Sequence, residues 1–394
     1  MRRIFDGIKV LDFTTLLAGP ICSALLADQG ADVIKIEKPH TGEDGRMYPP
    51  YVGGESTVNI INNRGKKSFA CPMDDPDGIE ILKELIKSAD VIVQNYRPGT
   101  MKKFGLDYES VVAIKPDIVY CSISAYGLVG PYSYRPGYDL IGQAATGLMD
   151  LCGEPGGSPL PSAAALTDTS TGNIAFAAVV SALYHRLNTG EGNHVDISMT
   201  DCFLSLNNKI EEASAGLKPS RTGKFHDNAG PFGVFSGNDF DVVICAPNPG
   251  LWKKLCGAIG RPELADDPRY DSSPKRVAQN ADMIEILEGF LKSAKSTQEA
   301  VDIIDKAGVP VAKINTTTEV LTDPHYIARG SIIQQQLPSG ETFTTRGIVH
   351  NYSNTPGKVT AAPSLAQHNV DILKELGKSD DEIARLNAKW VDKK

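Results

Sequence analysis

The chain has 394 residues, of which 41% are hydrophobic and 22% are charged, so it is long enough for a large core and for about two domains. Its net charge of -8 argues against a general nucleic-acid binder, since phosphate contacts require a basic surface. No apolar run approaches the roughly 20 residues that a bilayer requires, and the opening MRRIFDGIKVLDF becomes polar too soon for a signal peptide, which predicts a cytoplasmic globular protein.

The first third of the chain predicts repeated strand and helix units. Apolar strands alternate with helical periodicity at 8–13, 21–28, 33–37, 78–89, 91–95 and 117–124. Pro20 stands where a helix can begin, and Gly30 stands where that helix must end. Such alternation indicates a parallel, doubly wound α/β sheet that binds ligands at the carboxyl ends of its strands. No GxGxxG follows the first strand, so a dinucleotide cofactor is not supported.

The rest of the chain predicts a second, smaller α/β domain. A long apolar helix runs from Asp168 to about Leu187 and leads into a strand at 194–199. Gly, Pro and basic residues without an apolar period mark a linker at 216–233. We therefore expect an N-terminal part of the large domain at 1–215, the linker, a small domain at 234–318, and a linker with a returning C-terminal part at 319–394. A hairpin at 331–345 and a terminal helix at 369–388 are predicted within that last part.

The cysteines predict neither a disulfide framework nor a metal site. Their number is odd, with no CxxC pair and no histidine at zinc spacing. The seven positions are Cys22, Cys71, Cys121, Cys152, Cys202, Cys245 and Cys256. We expect them to be buried free thiols.

Asp168 stands in ALTDTSTGNIAFAAVVSALYHRL, at the sequence position of a helix N-cap. A cap is one interpretation of this residue. The other is chemical, because the amides and dipole at a helix start would keep the carboxylate ionised, and an ionised carboxylate is a usable nucleophile. The small residues that precede it leave room for a substrate. The local sequence leaves both interpretations open.

Basic residues form two groups at the ends of predicted strands. They are Arg64, Lys66 and Lys67 in NNRGKKS, and Arg97, Lys102 and Lys103 in NYRPGTMKKFG. In an acidic chain, such groups at neighbouring strand ends indicate a phosphate site, where arginine can make a bidentate contact. Solvated surface charge is the alternative for any single lysine. Tyr96, beside Asn95, offers a face for a base.

Taken in order, these stretches resemble the family III CoA-transferases over essentially the whole chain. The matching segments include GIKVLDFTTLLAGP, LLADQGADVIKIEKP, ADVIVQNYRPGTMKKFGLDYE, PGYDLIGQAATGLMDLCGEP, ALTDTSTG and AGVPVAKINTTTEVLTDPH. The resemblance implies that Asp168 is the catalytic nucleophile. It places CoA contacts on Leu17, Ala18, Lys38, Asn95, Tyr96, Arg97, Lys103, Tyr126 and Gly127. It further implies an interlocked homodimer in which each chain has a Rossmann-like large domain and a small α/β domain.

The implied reaction moves CoA from an acyl-CoA to a small carboxylic acid. Asp168 attacks the thioester to form an anhydride, and the CoA thiolate then forms an aspartyl-CoA thioester. The acceptor acid attacks this thioester, and the same steps follow in reverse order. CoA is a co-substrate in this scheme, which requires no permanently bound cofactor, ATP or metal. Backbone amides, including those at the start of the helix after Asp168, are expected to stabilise the oxyanions.

Two departures from the family pattern bear on the substrate. The formyl-CoA:oxalate branch has a glutamine where this chain has Leu17, and a tetraglycine loop roughly where it has CAPNPG at 245–250. A leucine offers no hydrogen bond to a small dicarboxylate, so we expect a larger and more apolar acid than oxalate.

Two other functions compete with CoA transfer. The α-methylacyl-CoA racemases of the same superfamily use a histidine and an aspartate as paired acid and base, and the histidine of their GHD segment is Tyr138 here. Tyrosine does not exchange protons near neutral pH as imidazole does, so the racemase reaction is disfavoured. A non-catalytic CoA-binding or scaffold protein is the second alternative, and the presence of Asp168 argues against it.

Overall fold

The computed structural model describes residues 2–392, an α/β protein whose elements follow the predicted alternation. Its strands are β1 (Lys9–Asp12), β2 (Asp32–Glu37), β3 (Tyr51–Val52), β4 (Glu55–Ser56), β5 (Lys67–Ala70), β6 (Val91–Gln94), β7 (Val119–Ser124), β8 (Asn193–Ser198), β9 (Phe232–Ser236), β10 (Asp241–Cys245), β11 (Val311–Lys313), β12 (Ile332–Gln336) and β13 (Thr342–Arg346). Its first nine helices are α1 (Ala18–Asp28), α2 (Thr57–Asn62), α3 (Pro76–Ser88), α4 (Thr100–Lys103), α5 (Tyr108–Val112), α6 (Asp139–Ala145), α7 (Leu166–Thr189), α8 (Met199–Leu204) and α9 (Ile210–Ser214). The later ones are α10 (Pro249–Ala258), α11 (Ser273–Ala278), α12 (Asn280–Ser293), α13 (Thr297–Lys306), α14 (Thr317–Val320), α15 (Pro324–Ala328), α16 (Asn369–Glu375) and α17 (Asp380–Trp390).

Within residues 2–392, the largest sheet has six parallel strands in the order β5-β2-β1-β6-β7-β8. The chain therefore builds outward from β1 to β5, then returns and continues from β6 on the other side of β1. Ligands of doubly wound sheets bind where the strand order reverses, at the carboxyl ends of the strands. Here that point lies between β1 and β6, whose residues Val10 and Val91 are paired. The predicted α/β fold class and parallel sheet are confirmed.

Apolar layers cover both faces of this sheet. Leu85 of α3 and Trp390 of α17 are buried on one face, and Trp390 meets Phe69 edge-on at 6.4 Å between ring centroids. Leu26 of α1 and Val179 of α7 are buried on the other face. Because the central strands are buried on both sides, their residues form continuous apolar runs in the sequence.

The C-terminal helix differs from the prediction. The single helix expected at 369–388 is two helices, α16 and α17. Gly377, with φ of 74°, takes a left-handed conformation that suits a helix end, and the amide of Lys378 bonds back to the Leu373 carbonyl. Ser379 then caps α17 through the amide of Glu382. The apolar periodicity continues through this break, so it does not reveal it.

The described chain divides into two compact units. The first contains the residues up to Leu148, Pro161–Glu211 and the residues from Asp323 onward, and the predicted hairpin is present in it as β12 and β13. The second contains Met149–Leu160 and Glu212–Thr322, with an antiparallel sheet in the order β11-β10-β9. The segment 216–233, predicted to be a linker, lies within this second unit, and its last residues begin β9.

The first group of basic residues forms internal ion pairs rather than a phosphate site. Lys66 Nζ is buried 2.8 Å from Asp12 Oδ2, and Arg64 Nη2 lies 2.6 Å from Asp28 Oδ2. Lys67 is paired with an acidic side chain of β2. The phosphate-site prediction is wrong for these three residues because a sequence gives the number of charges but not their partners. Removing one partner of a buried pair typically costs about 3–5 kcal/mol.

The thiol prediction holds for most of the cysteines. All seven are free, and five are buried, but Cys245 is only half-buried and Cys152 is exposed. The expectation of burial is therefore wrong for Cys152, which lies in an irregular segment rather than in a strand or helix. None of the helices in the described chain is long and apolar enough to cross a membrane.

Candidate active site

A cavity of about 310 Å³ lies in the first unit, at the carboxyl ends of β1, β6 and β7. This is the edge at which a reversed strand order predicts a ligand. Its walls are formed by Thr15, Leu16, Leu17, Ala18, Asp44, Asn95, Tyr96, Arg97, Pro98, Ile123, Ser124, Ala125, Arg135, Pro136, Gly137, Tyr138, Asp168 and Met199. Six of the ten predicted site residues therefore meet around one space: Leu17, Ala18, Asn95, Tyr96, Arg97 and Asp168.

The other four predicted residues do not line this cavity. Lys38 lines a neighbouring cavity of about 400 Å³ that shares Tyr96 with the first and has apolar walls that include Phe104. Lys103 lines a further cavity, also against Phe104. Tyr126 and Gly127 follow the end of β7 but lie in none of these linings, and Tyr126 packs edge-on against Tyr132 at 5.8 Å. Their contacts with CoA remain predictions.

Close packing of two helices places Asp168 at the cavity. A Cβ atom added at Gly172 would lie 2.6 Å from Ile21 Cβ and 2.8 Å from the Ala18 carbonyl oxygen, so only glycine lets α7 approach α1 this closely. Asp168 and Gly172 are four residues apart and share one face of α7. The carboxylate therefore faces the start of α1. The sequence analysis missed that the glycine of TSTG permits this close packing.

Asp168 is not the N-cap of α7, contrary to the prediction. The helix begins at Leu166, so Asp168 lies inside its first turn. The capping group is the carboxylate of Asp139, whose Oδ1 accepts hydrogen bonds from the amides of Thr167 at 2.7 Å and Asp168 at 3.2 Å. A cap contributed by a distant segment cannot be recognised in the local sequence.

The electrostatics of Asp168 also differ from the prediction. Burial, with a smaller contribution from the nearby charge of Asp139, raises its pKa from 3.8 to about 7. No protein group in residues 2–392 donates a hydrogen bond to the Asp168 carboxylate. The expectation that the helix start keeps this group ionised is wrong, mainly because the carboxylate is buried, and because the amides of Thr167 and Asp168 donate to Asp139 instead.

The raised pKa predicts the pH dependence of a reaction in which the Asp168 carboxylate attacks. Since the reactive form is deprotonated, kcat/KM for a CoA ester should rise with pH and level off above about 7. Asp139→Asn removes the like charge but not the burial, so the midpoint should fall only partway towards 3.8. Initial rates between pH 5 and pH 9 measure both midpoints. An unchanged midpoint in the variant would contradict the stated contribution of Asp139.

The free backbone amides nearest to Asp168 among the helix starts belong to α1 rather than to α7. The first-turn amides of α7 are bonded to the Asp139 carboxylate or to nearby carbonyls, so the predicted oxyanion contact at this helix start is wrong. In the described chain, the amides of Ala18 and Gly19 have no hydrogen-bond acceptor. Ala18 also lines the cavity, so its amide is a donor available to an anionic oxygen.

Two guanidinium groups line the cavity without a carboxylate partner in residues 2–392, namely Arg97 and Arg135. Arg135 lies over the ring of Tyr132, 3.9 Å from its centroid, a distance at which the ring attracts the cation. The sequence analysis missed Arg135, although it directly precedes the PGYD segment. Ser124, at the end of β7, also lines the cavity, and its buried hydroxyl has no hydrogen-bond partner within the described chain.

Comparisons with known proteins identify the family of the chain. The sequence model described as CoA-transferase family III matches residues 5–369. The human succinyl-CoA:glutarate CoA-transferase is 35% identical over 95% of this chain and 86% of its own length. The acetyl-CoA:oxalate CoA-transferase of Acetobacter aceti is 38% identical over 94% of this chain and 95% of its own. A CAIB/BAIF family protein from Brucella suis superposes with a TM-score of 0.85 at 36% identity, covering 95% of this chain and 100% of that one.

The family match covers most of the chain, and the alignment with the Acetobacter aceti enzyme includes nearly the whole length of that protein. Both curated relatives named above are CoA-transferases, which favours that reaction over the racemase and scaffold alternatives. The enzyme is a CoA-transferase, as predicted, and the chain belongs to CoA-transferase family III.

Proposed function

We propose that this enzyme transfers CoA between dicarboxylic acids, with Asp168 as the nucleophile. The observation that carries the proposal is a single cavity that contains a half-buried carboxylate with no hydrogen-bonding protein donor in the described residues, an unpaired guanidinium and an available backbone amide. A carboxylate of this kind can attack a thioester. The guanidinium can hold a second carboxylate of the substrate.

The proposed reaction proceeds through three covalent intermediates, namely two anhydrides and one thioester. A carboxylate oxygen of Asp168 attacks the thioester carbon, the C–S bond breaks, and the CoA thiolate leaves a mixed anhydride on the enzyme. The thiolate attacks the aspartyl carbonyl, releases the donor acid and leaves an aspartyl-CoA thioester. The acceptor carboxylate attacks this thioester, and the released thiolate then attacks the acyl carbon of the second anhydride. This regenerates the Asp168 carboxylate, with no net proton or electron consumed.

The environment of Asp168 favours the covalent intermediates. Burial and the Asp139 charge destabilise the free carboxylate, and both effects are relieved when that charge is replaced by a neutral anhydride or thioester. The amide of Ala18 is the donor that we assign to the developing oxyanion. Asp139 thus acts on the reaction through its charge and through its cap on α7.

CoA is a co-substrate in this proposal, and no permanently bound cofactor takes part. The second cavity, with Lys38 and the ring of Tyr96, suits the nucleotide end, because its apolar walls can take a base and a lysine can contact phosphate. Arg97 and Lys103 are further phosphate contacts in the proposal. Lys38 pairs with Asp44 at 2.9 Å, a bond that phosphate would have to displace or share.

The dicarboxylate class rests on Arg135 and on the names of related enzymes, which include glutarate, oxalate and succinyl-CoA. This departs from the apolar acid expected from Leu17. A leucine removes one hydrogen bond, but an arginine beside the same cavity supplies a stronger charged contact.

A panel experiment tests the proposed function. The purified enzyme is incubated with acetyl-, succinyl- and glutaryl-CoA and with mono- and dicarboxylic acids, and new CoA esters are identified by mass spectrometry. We expect transfer among C4 and C5 dicarboxylates to exceed transfer to monocarboxylates. Transfer confined to monocarboxylates would overturn the substrate class and leave the transferase assignment in place.

We also propose the interlocked homodimer and the cytoplasmic location implied at the outset. Large apolar side chains exposed on the first unit support a covered surface, among them Val129, Tyr134, Tyr184 and Leu187. Threaded chains cannot separate without unfolding, so light scattering should give the mass of two chains even after strong dilution. A folded, active monomer would contradict the dimer.

A further inference from the structure

We propose that four buried charged side chains, Asp12, Lys35, Glu43 and Lys66, form a positioning network that fixes the cavity wall at residues 14–17. The inference rests on the proposed function, since it takes this cavity as the reacting site. All four side chains are almost completely buried, and two carboxylates balance two ammonium groups. None of them lines the cavity that contains Asp168.

The segment 14–17 has a backbone conformation that must be held in place. Leu16 has φ of 67°, in the left-handed region that non-glycine residues with bulky side chains seldom adopt. Such a conformation persists only where its surroundings over-determine it. Leu16 and Leu17 line the cavity and lead directly into Ala18, so this strain is located at the site.

Glu43 holds the strained residue from one side. Its Oε2 accepts hydrogen bonds from the amides of Leu16 at 3.0 Å and Gly45 at 2.7 Å. Its Oε1 accepts a hydrogen bond from Asn63 Nδ2 at 2.8 Å. Both carboxylate oxygens are therefore occupied by donors, one of which is the amide of the residue with positive φ.

Asp12 holds the start of the segment from the other side. Its Oδ1 accepts hydrogen bonds from the amide and hydroxyl of Thr14, at 2.8 and 2.6 Å. Lys35 Nζ donates to Asp12 Oδ1 at 3.1 Å and to the Thr14 carbonyl. The ammonium group of Lys66 joins the two halves, because it donates to Asp12 Oδ2 at 2.8 Å and to Asn63 Oδ1 at 2.9 Å.

Asn95 completes the support of the segment. Its Oδ1 accepts a hydrogen bond from the Thr15 amide at 2.8 Å, and its Nδ2 donates to the Thr15 carbonyl at 2.9 Å. Three consecutive residues are thus bonded through their backbone to the buried Asp12, Lys35 and Glu43 or to the half-buried Asn95. Leu17 and Ala18 follow immediately, so the network determines where the free Ala18 amide stands relative to Asp168.

Glu43→Gln tests the network with little change of shape. An amide has one acceptor oxygen, so at least one of the three donors now bonded to Glu43 loses its acceptor. We expect kcat to fall by about 10- to 100-fold, as for a displaced reacting group. KM for the CoA ester should change by less than about threefold, since the phosphate contacts proposed above, Lys38, Arg97 and Lys103, make no hydrogen bond to Glu43. Hydrogen exchange of a peptide covering 14–18 should become faster.

The matched control is Asp28→Asn, which breaks a buried ion pair with Arg64 at the opposite end of α1. It should lower stability without changing kcat or the exchange of 14–18. A second variant, Leu16→Gly, removes the strain because glycine adopts positive φ freely. In that background, Glu43→Gln should cost less activity than it does in the wild type.

Three results would overturn the network as a positioning device. They are an unchanged kcat and exchange rate in Glu43→Gln, an equal loss of kcat in Asp28→Asn, or no relief in the Leu16→Gly background. The exchange measurement needs no turnover. Faster exchange of 14–18 therefore supports the network even if the proposed acids are not substrates. The proposed function and the network can thus be contradicted independently.

Discussion

Asp168→Asn should reduce CoA transfer to background and leave the fold intact. The uncharged amide cannot form the anhydride, so none of the covalent intermediates can form. If Asp168 had no chemical role, this change of nearly equal shape would leave the rate of transfer almost unaltered. Transfer measured with any accepted donor and acceptor pair separates these outcomes. Full activity of the variant would leave the nucleophile unassigned.

The same variant should be more stable than the wild type at high pH. The folded pKa of Asp168 is raised to about 7, so its contribution to stability is complete below about 4 and is lost as pH rises through 7. Asparagine carries no charge that burial could disfavour. Above pH 7 the variant should therefore gain on the order of 1 kcal/mol in unfolding free energy, and the gain should shrink towards pH 5. Urea unfolding at two pH values measures the difference.

A chemical trap gives an independent test of Asp168. Hydroxylamine added after incubation with donor should convert an aspartyl thioester into a hydroxamate on the peptide that carries Asp168. The Asn variant is the control and should remain unlabelled. A label on Asp139 instead would transfer the nucleophilic role to that residue.

Arg135→Gln should raise KM for donors whose acyl group carries a second carboxylate and leave KM for other donors nearly unchanged. Loss of a charge-assisted contact to a distal carboxylate should raise KM for succinyl-CoA by about 10- to 100-fold. Acetyl-CoA has no distal carboxylate, so its KM should stay within about threefold of the wild-type value. KM for a dicarboxylic acceptor should rise together with that for succinyl-CoA. Steady-state kinetics with both donors measure the contrast.

Arg97→Gln is the matched control, since Arg97 lines the same cavity and also has no ion pair within residues 2–392. As a phosphate contact it should raise KM for acetyl-CoA and succinyl-CoA alike, with a smaller effect on kcat. If Arg135→Gln also raised both values equally, Arg135 would be a CoA contact and not a selector of the acid.

Much of the fold follows from local patterns in the sequence. The parallel strands are buried on both faces and appear as short apolar runs, such as VIVQ in β6, and the intervening helices have a clear apolar period. The ordered motifs were sufficient for the family, and they directed attention to Asp168. The break between α16 and α17 was not predicted, because the apolar pattern continues on both sides of Gly377, the residue at which the first helix ends.

The chemistry of the site depended on contacts between distant segments. Burial, together with the charge of Asp139 from 29 positions away along the chain, raises the pKa of Asp168, and Asp139 also caps α7, so an N-cap and an ionised carboxylate were the wrong expectations. Lys66 and Arg64 looked like phosphate ligands but are neutralised by Asp12 and Asp28. Charge partners, burial and hydrogen-bond geometry arise only when the chain folds, whereas periodicity and motif order are already present in the unfolded chain.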